Sequence, residues 1–398
     1  MEHSLLNFAP VLRLMLLGVL IAMVPLAWVW LRNPNAPSAL RLRTLVALTL
    51  FLTFDLVLFG AFTRLSDSGL GCPDWPGCYG QASPLGAQAQ IAIEQAMMPS
   101  GPVTHTKAWI EMVHRYLASS VGVLLIVITL FVWIEKRKTP FDTLISPWWP
   151  TLTLLWVCIQ GAFGALTVTM KLFPAIVTMH LLGGMVLLAL LQAQLSRLRS
   201  PQHAAMGDTR SLWRWLLLGS ATLWLQIALG GWVSTNYAVL VCTEFPACQG
   251  QWIPDMKLSE GFEIWRHLGQ TGAGAAISLP ALTAIHVVHR MFALVVFGVL
   301  GVAAFKAWRR PALRRFGQGL AALLALQLAT GLSNVVLGWP LLAALAHTGG
   351  GAAMVMLTTA LIVHLKVSAQ AAMQQSSTHL LAETPESGLT YHHQGAAP

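Results

Sequence analysis

The stretch Glu111-Met-Val-His114-Arg115 lies just inside an apolar run that ends near Trp133. Ionisable side chains in a membrane segment are costly, and they usually face a bundle interior, a ligand or a partner. The stretch Ile285-His286-Val-Val-His289-Arg290 repeats the arrangement at the start of another apolar run, with His286 in the place of Glu111. The pair of stretches predicts transmembrane helices built as an internal repeat.

The amino-acid composition is that of a membrane protein. Of its 398 residues, 56% are hydrophobic and only 10% are charged. These values are far from those of soluble globular proteins and indicate a polytopic membrane protein in a lipid bilayer. The formal charge of +9 does not indicate a nucleic-acid partner, because the basic residues are distributed among short loops between apolar runs.

Nine apolar runs are long enough to cross a bilayer, which takes about 20 residues. The loops after the first, third, fifth and seventh runs carry most of the arginines and lysines, so these loops are predicted to be cytoplasmic. This places the N-terminus outside and the C-terminus in the cytoplasm of an inner (cell) membrane protein. The predicted spans lie near 11–31, 44–63, 112–134, 149–169, 174–196, 213–234, 280–305, 318–338 and 341–365.

The last eight spans are predicted to be two copies of a four-helix unit. Cys72 and Cys78 follow the first span of one copy, and Cys242 and Cys248 follow the first span of the other. In each copy a glutamine precedes a later histidine by twenty residues. The fold class is therefore all-α: two pseudo-symmetric four-helix transmembrane bundles plus one extra N-terminal transmembrane helix. The predicted divisions are 1–43 (extra helix and cytoplasmic linker), 44–200 (first bundle), 201–366 (second bundle) and 367–398 (disordered cytoplasmic tail).

Both cysteine pairs fall in predicted outside loops, where an oxidising compartment lets disulfides persist. A metal site is the rival interpretation, but neither pair has further cysteines or histidines at ligand spacing. The disulfides could be structural, or redox-active, since short-loop disulfides can be labile. Cys158 lies inside a span and is predicted to be a buried small hydrophobe.

Four intramembrane histidines carry the strongest functional signal. His114, His180, His289 and His347 lie at similar depth on helices that run in the same direction, and the repeat pairs them. A lone histidine of this kind is usually a packing residue, but two per unit in apolar surroundings suit axial ligation of haem. Zinc or copper would need more ligands in each cluster.

Four further ionisable residues accompany the histidines. Arg115 and Arg290 could pair with haem propionates or act as ordinary interfacial anchors. Glu111 lies one helical turn before His114, where a carboxylate could act as an acid or base; the alternative is a salt bridge with Arg115. Asp55, in the middle of a span and without a matched acid in the second copy, is predicted to have a structural hydrogen-bonding role.

The residues from Gly60 to Gln81, which include Cys72-Pro-Asp-Trp-Pro-Gly-Cys78, followed by Glu111-x-x-His114-Arg115, resemble the haem A synthase family. Cys242, Cys248, His289-Arg290 and His347 in the second half carry the same resemblance, which covers roughly residues 44–366. It implies two pseudo-symmetric four-helix bundles with haem sites towards the outer face.

The resemblance also implies an activity. Haem b would be a cofactor held between His289 and His347, and the substrate haem O would bind near His114 and His180, with Glu111 as the catalytic carboxylate. The family oxidises the C8 methyl of haem O to a formyl group through successive hydroxylations, which gives haem A for terminal oxidases. Haem O synthase and assembly factors of the oxidase are the implied partners, and a homo-oligomer is compatible with the resemblance.

Two other functions fit a di-haem membrane protein. One is an electron-transfer protein that leaves both of its haems unaltered, and the other is a chaperone that delivers haem to an oxidase. The difference between Glu111 and His286 favours the enzyme, because a pure electron relay needs no carboxylate beside only one of its haems.

Overall fold

The structure is a computed structural model that describes residues 9–138, 145–198 and 209–382. Within these ranges the chain is almost entirely helical, and nine of the helices are long and apolar enough to cross a membrane. The helices are α1 (Ala9–Arg32), α2 (Ser38–Leu65), α3 (Gln88–Met97), α4 (His105–Lys138), α5 (Trp148–Thr169), α6 (Pro174–Arg197), α7 (Arg210–Thr235), α8 (Leu258–Gly261), α9 (Leu279–Trp308), α10 (Arg314–Val336) and α11 (Leu341–Ala382).

The surface of these helices is that of a membrane protein. Large apolar side chains such as Leu130, Leu155 and Leu294 are more than half exposed in the middle of their helices. In water such a surface would promote association, whereas in a bilayer it faces lipid tails of the same polarity. The chain is therefore a multi-pass membrane protein.

The helices pack as two groups of four. Helices α2, α4, α5 and α6 contact one another, and α7, α9, α10 and α11 do the same. The two groups meet where α6 packs on α11, and this contact is flanked by α6 with α7 on one side and α11 with α2 on the other. This pairing is what a two-fold axis between the groups would produce, and it fits the predicted bundles.

Helix α1 lies outside both groups and packs on α4, with a smaller contact to α2. Its buried residues Ala22 and Val29 join the core of the first bundle. Gly18 lies so close to Ser119 that a Cβ atom there would be 2.7 Å from the Ser119 Cβ atom. Close approach of backbones at small residues is a usual way for membrane helices to associate.

Several helices extend beyond the predicted spans or divisions, by a few residues to several turns. Helix α2 begins at Ser38, so the division at 43/44 falls inside a helix, and α4 begins at His105 rather than 112. Helix α11 continues to Ala382, so the first half of the segment predicted to be a disordered tail is helical. The division at 200/201 and residues 383–398 lie outside the described residues.

The loop between α2 and α4 contains a helix that the sequence did not indicate. Helix α3 places the fully buried Ile91 against Cys72 and Cys78. The backbone N–H of His105 donates to Gln95 Oε1 at 2.9 Å, which ties the end of the loop to α3. This loop therefore covers the first cysteine pair.

Candidate functional site

Both cysteine pairs form disulfides, Cys72 with Cys78 and Cys242 with Cys248. The two loops have the same construction. In each, the second cysteine exchanges two backbone hydrogen bonds with a glutamine three residues later. In each, the loop's acidic residue accepts a backbone N–H: Asp74 Oδ2 from Gly80 at 2.7 Å and Glu244 from Gly250. Gly80 and Gly250 have φ of 70° and 75°, values that favour glycine.

The matched arginines hold these loops onto the helices. Arg115 donates to the backbone carbonyls of Asp74, Pro76 and Gly77, and Arg290 donates to those of Cys242 and Ala247. These contacts explain why an arginine follows the histidine in both copies. The predicted contact of the two arginines with haem propionates stays a prediction.

Glu111 is buried in the contact between helix α4 and the first disulfide loop. Its Oε1 forms an ion pair of 2.5 Å with Arg115, and its Oε2 accepts the backbone N–H of Cys72 at 2.8 Å. The ion pair that sequence analysis gave as the alternative is therefore present. In the second copy His286 accepts from Arg290 at 3.1 Å through Nε2, and its Nδ1 lies 2.9 Å from the carbonyl oxygen of Ala238.

Each of the four predicted histidine ligands lies against a glycine of a neighbouring helix. A Cβ atom added at that glycine would be 3.0–3.4 Å from the imidazole Cε1, so the missing side chain makes room for the ring. In each bundle the two histidines come from different helices, α4 and α6 in the first and α9 and α11 in the second. The pairs are His114 with Gly60, His180 with Gly164, His289 with Gly230 and His347 with Gly331.

The surroundings of the histidine pairs fit an axial ligand set for haem. All four histidines keep part of their surface accessible. Among residues 9–138, 145–198 and 209–382 no group of three or more His, Cys, Asp or Glu side chains could hold a metal ion. A ligand that needs only two protein donors, such as a haem iron, fits this arrangement better than zinc does.

The histidine pairs differ in the polar groups around them. Nδ1 of His114 and Nδ1 of His180 are buried without a hydrogen-bond partner. Nδ1 of His347 lies 3.0 Å from Thr330 Oγ1, and Nδ1 of His289 lies 3.1 Å from Gln226 Nε2. In the first bundle the ring of His114 stacks instead on Phe59, with the planes 6° apart.

Two predictions about single residues were wrong. Asp55 makes no hydrogen bond within the described residues; it lines a cavity of about 530 Å³ between α2, α10 and α11. The other lining residues are mostly apolar, for example Leu323 and Leu345. Cys158 is exposed on the outside of α5 rather than buried. Periodicity does not show which face of a helix meets lipid when both faces are apolar.

A polar cluster that sequence analysis missed joins the two halves at the end of the bundles that carries the disulfide loops. The Arg64 guanidinium donates to the carbonyl oxygen of Ser234 at 2.5 Å and lies 4.0 Å from the centre of the Tyr237 ring. The Tyr237 hydroxyl donates to Asp67 at 2.5 Å. Burial raises the pKa of Tyr237, so the phenol remains a donor at neutral pH. Arg64 thus crosses between the copies, and the second copy has no matched arginine.

The duplicated disulfide loops and histidine pairs lie within one family match. A family model described as COX15-CtaA, cytochrome oxidase assembly protein, matches residues 43–360. The chain belongs to the COX15-CtaA family. The match spans the eight repeated transmembrane helices from the second turn of α2 onwards and leaves α1 outside.

Individual members of this family resemble the chain over most of its length. A protein of Shewanella oneidensis named "Heme A synthase" is 38% identical over 321 residues, which cover 80% of this chain and 94% of that protein. A protein of Halalkalibacterium halodurans with the same name is 26% identical over 299 residues, 72% of this chain and 85% of that protein. A third, from a Bradyrhizobium species, is 28% identical over 330 residues, 77% and 86% of the two chains.

Proposed function

We propose that this chain is a haem A synthase, an oxidoreductase that converts the C8 methyl of haem O to a formyl group. The observation that carries the proposal is the pair of imidazoles from different helices in each bundle, each beside a matched glycine. Membership of a family whose members include proteins named for this activity supports it. The substrate carries both an iron and a long apolar side chain, which suits a site inside a membrane bundle.

The second bundle would hold the resident haem b between His289 and His347. These residues fit the group, because their Nδ1 atoms have polar neighbours that can orient the rings. When bound, haem b supplies one-electron redox chemistry. The protein's part there is to fix the two imidazoles and to exclude water from them.

The first bundle would receive haem O between His114 and His180, with Glu111 as the carboxylate that serves the reaction. Conversion of methyl to formyl adds the oxygen atom of one water molecule and releases four protons and four electrons. The electrons pass to an electron carrier in the membrane. Glu111 is the acid closest in sequence to His114, and the disulfide loop shields it from bulk water, so we assign it the transfer of protons.

The distribution of positive charge supports an inner-membrane protein with its N-terminus outside and its C-terminus in the cytoplasm. In this orientation both disulfide loops face the oxidising compartment. With the loops outside, both histidine pairs would lie towards the outer face. Haem O synthase would be the source of substrate and the assembly factors of a terminal oxidase the recipients of product.

Mass spectrometry of the haems extracted from purified protein tests this proposal. The protein is expressed with haem O synthase, and the expected result is haem b together with haem O or haem A. Haem b alone at both sites would contradict the synthase and would support an electron-transfer protein. Histidine variants then assign each haem to its bundle.

A further inference from the structure

The hydroxyl of Thr330 is placed to accept a hydrogen bond from His347. Thr330 Oγ1 donates its own proton to the carbonyl oxygen of Leu326 at 2.8 Å. The same oxygen lies 3.0 Å from His347 Nδ1, so in that contact it accepts. A neutral imidazole with its proton on Nδ1 has a free lone pair on Nε2. The contact therefore selects the tautomer that can bind iron through Nε2.

Gln226 has a matching place beside His289. Its Nε2 donates to the backbone carbonyl of His289 at 3.2 Å and lies 3.1 Å from the ring Nδ1. Its Oε1 is buried without a partner. If the amide turned over, Oε1 would accept from a protonated Nδ1, and Nε2 would give up its bond to the His289 carbonyl. The amide can therefore hold the ring through Nδ1 in either tautomer.

The first bundle has no counterpart of either residue. Leu56 stands four residues before Gly60 as Gln226 does before Gly230, and Phe163 directly precedes Gly164 as Thr330 precedes Gly331. Neither side chain can form a hydrogen bond. The carbonyl group of the matched glutamine lies near the later histidine in both copies, yet Nδ1 of His180 has no partner with hydrogen-bond geometry.

We propose that Thr330 and Gln226 are positioning residues that make the second bundle a permanent haem holder, and that their replacement by Phe163 and Leu56 makes the first bundle an exchangeable site. A histidine ligand whose other ring nitrogen is hydrogen-bonded is held in one orientation and donates more strongly. A permanent cofactor needs this hold, whereas a substrate that must leave as product does not. The inference rests on the proposed function in taking haem b as the resident group.

The rate at which haem b leaves the purified holoprotein tests the inference without any activity assay. Transfer to excess apomyoglobin is followed by absorbance for the wild type, Thr330→Val and Gln226→Leu. We expect each variant to bind haem b with a bis-histidine spectrum and to lose it about tenfold faster, the lower end of the usual cost of such partners. The midpoint potential should rise, because a weaker imidazole donor stabilises the ferric state less.

Two matched variants separate the hydroxyl contact from general packing. Thr330→Ser keeps the hydroxyl and should retain haem b as the wild type does. This expectation can be measured even if Thr330→Val fails to fold. Thr358→Val removes another buried hydroxyl of the same bundle, which donates to Met354 and contacts no histidine. Thr358→Val should leave both the rate of haem b loss and the midpoint potential unchanged.

The outcomes also distinguish this inference from the proposed function. Loss rates and potentials of Thr330→Val and Gln226→Leu equal to the wild type, with haem b still bound, would overturn the inference and leave the synthase proposal standing. Equal changes in Thr358→Val would overturn it as well, since packing alone would then explain them. The proposed function itself would be overturned by a different result: wild-type protein that contains no haem b, or haem b alone at both sites.

Discussion

The carboxylate of Glu111 accepts the backbone N–H of Cys72 at 2.8 Å, so the first histidine helix is bonded directly to a disulfide-forming residue. Arg115, one turn later, holds both Glu111 and the carbonyls of the same loop. Position 111 therefore unites two roles, the anchoring of the loop and the proposed transfer of protons. Experiments on Glu111 must separate them.

Glu111→Ala should abolish haem A formation and leave haem b bound in the second bundle. It should also destabilise the protein by about 3–5 kcal/mol, because the buried Arg115 loses its counter-charge. Glu111→Gln should recover part of this stability by keeping the hydrogen bonds, without recovering the activity. Haem A is measured by mass spectrometry and stability by thermal unfolding. Normal haem A formation by Glu111→Ala would show that Glu111 is only structural.

Thiol labelling tests the disulfides. In protein made in an oxidising compartment, only Cys158 should react with a thiol reagent after denaturation without reductant, because it is the one free cysteine in the described ranges. Reductant should then expose four more thiols. A Cys158→Ser variant is the control and should show no labelling before reduction. Five reactive thiols in the unreduced wild type would rule out both bridges.

Deletion of residues 1–33 should leave haem binding intact. Helix α1 packs on α4 and α2 but supplies none of the four histidines. The surface that it leaves is apolar and would be covered by lipid, so the remaining eight helices should still fold. The absorption spectrum of the truncated protein measures this directly. A well-expressed truncation without bound haem would show that α1 belongs to the core.

Asp55→Leu should leave the protein as stable as the wild type or more so. The carboxylate lines an apolar cavity and has no hydrogen-bond partner among the described residues, so its removal breaks no contact and lowers the cost of a polar group in the membrane. Thermal unfolding in detergent checks this. If Asp55→Leu clearly lost stability while Asp55→Asn remained as stable as the wild type, the side chain would make a hydrogen bond after all.

Much of the arrangement follows from the sequence because the internal repeat allows one half of the chain to be aligned with the other. The nine spans and the cysteine pairs depend on hydrophobicity and local spacing, and the described part of the structure has them. The function of Arg115 and Arg290 could not be predicted, since it depends on where distant carbonyl groups fold back onto the helices. The same holds for Arg64, whose partner Ser234 belongs to the other copy.

The contrast between the histidine pairs could have been found from the sequence. Alignment of the two copies on Gly164 and Gly331 places Phe163 opposite Thr330, a difference visible without coordinates. Only the structure shows that Thr330 faces a histidine. The course of α11 to Ala382 was missed for another reason: its last turns are polar, and polar helices carry no periodic signal.

The central claim is that the copies have diverged into a substrate site and a cofactor site. Absorption spectra of the four single variants His114→Ala, His180→Ala, His289→Ala and His347→Ala test it most directly, each recorded from hosts with and without haem O synthesis. Without haem O, the variants of His289 and His347 should lose the low-spin bis-histidine spectrum of haem b, and the variants of His114 and His180 should keep it. With haem O, the variants of His114 and His180 should fail to form haem A. Equal loss of haem b from all four variants would contradict the account, because the two bundles would then be equivalent haem sites.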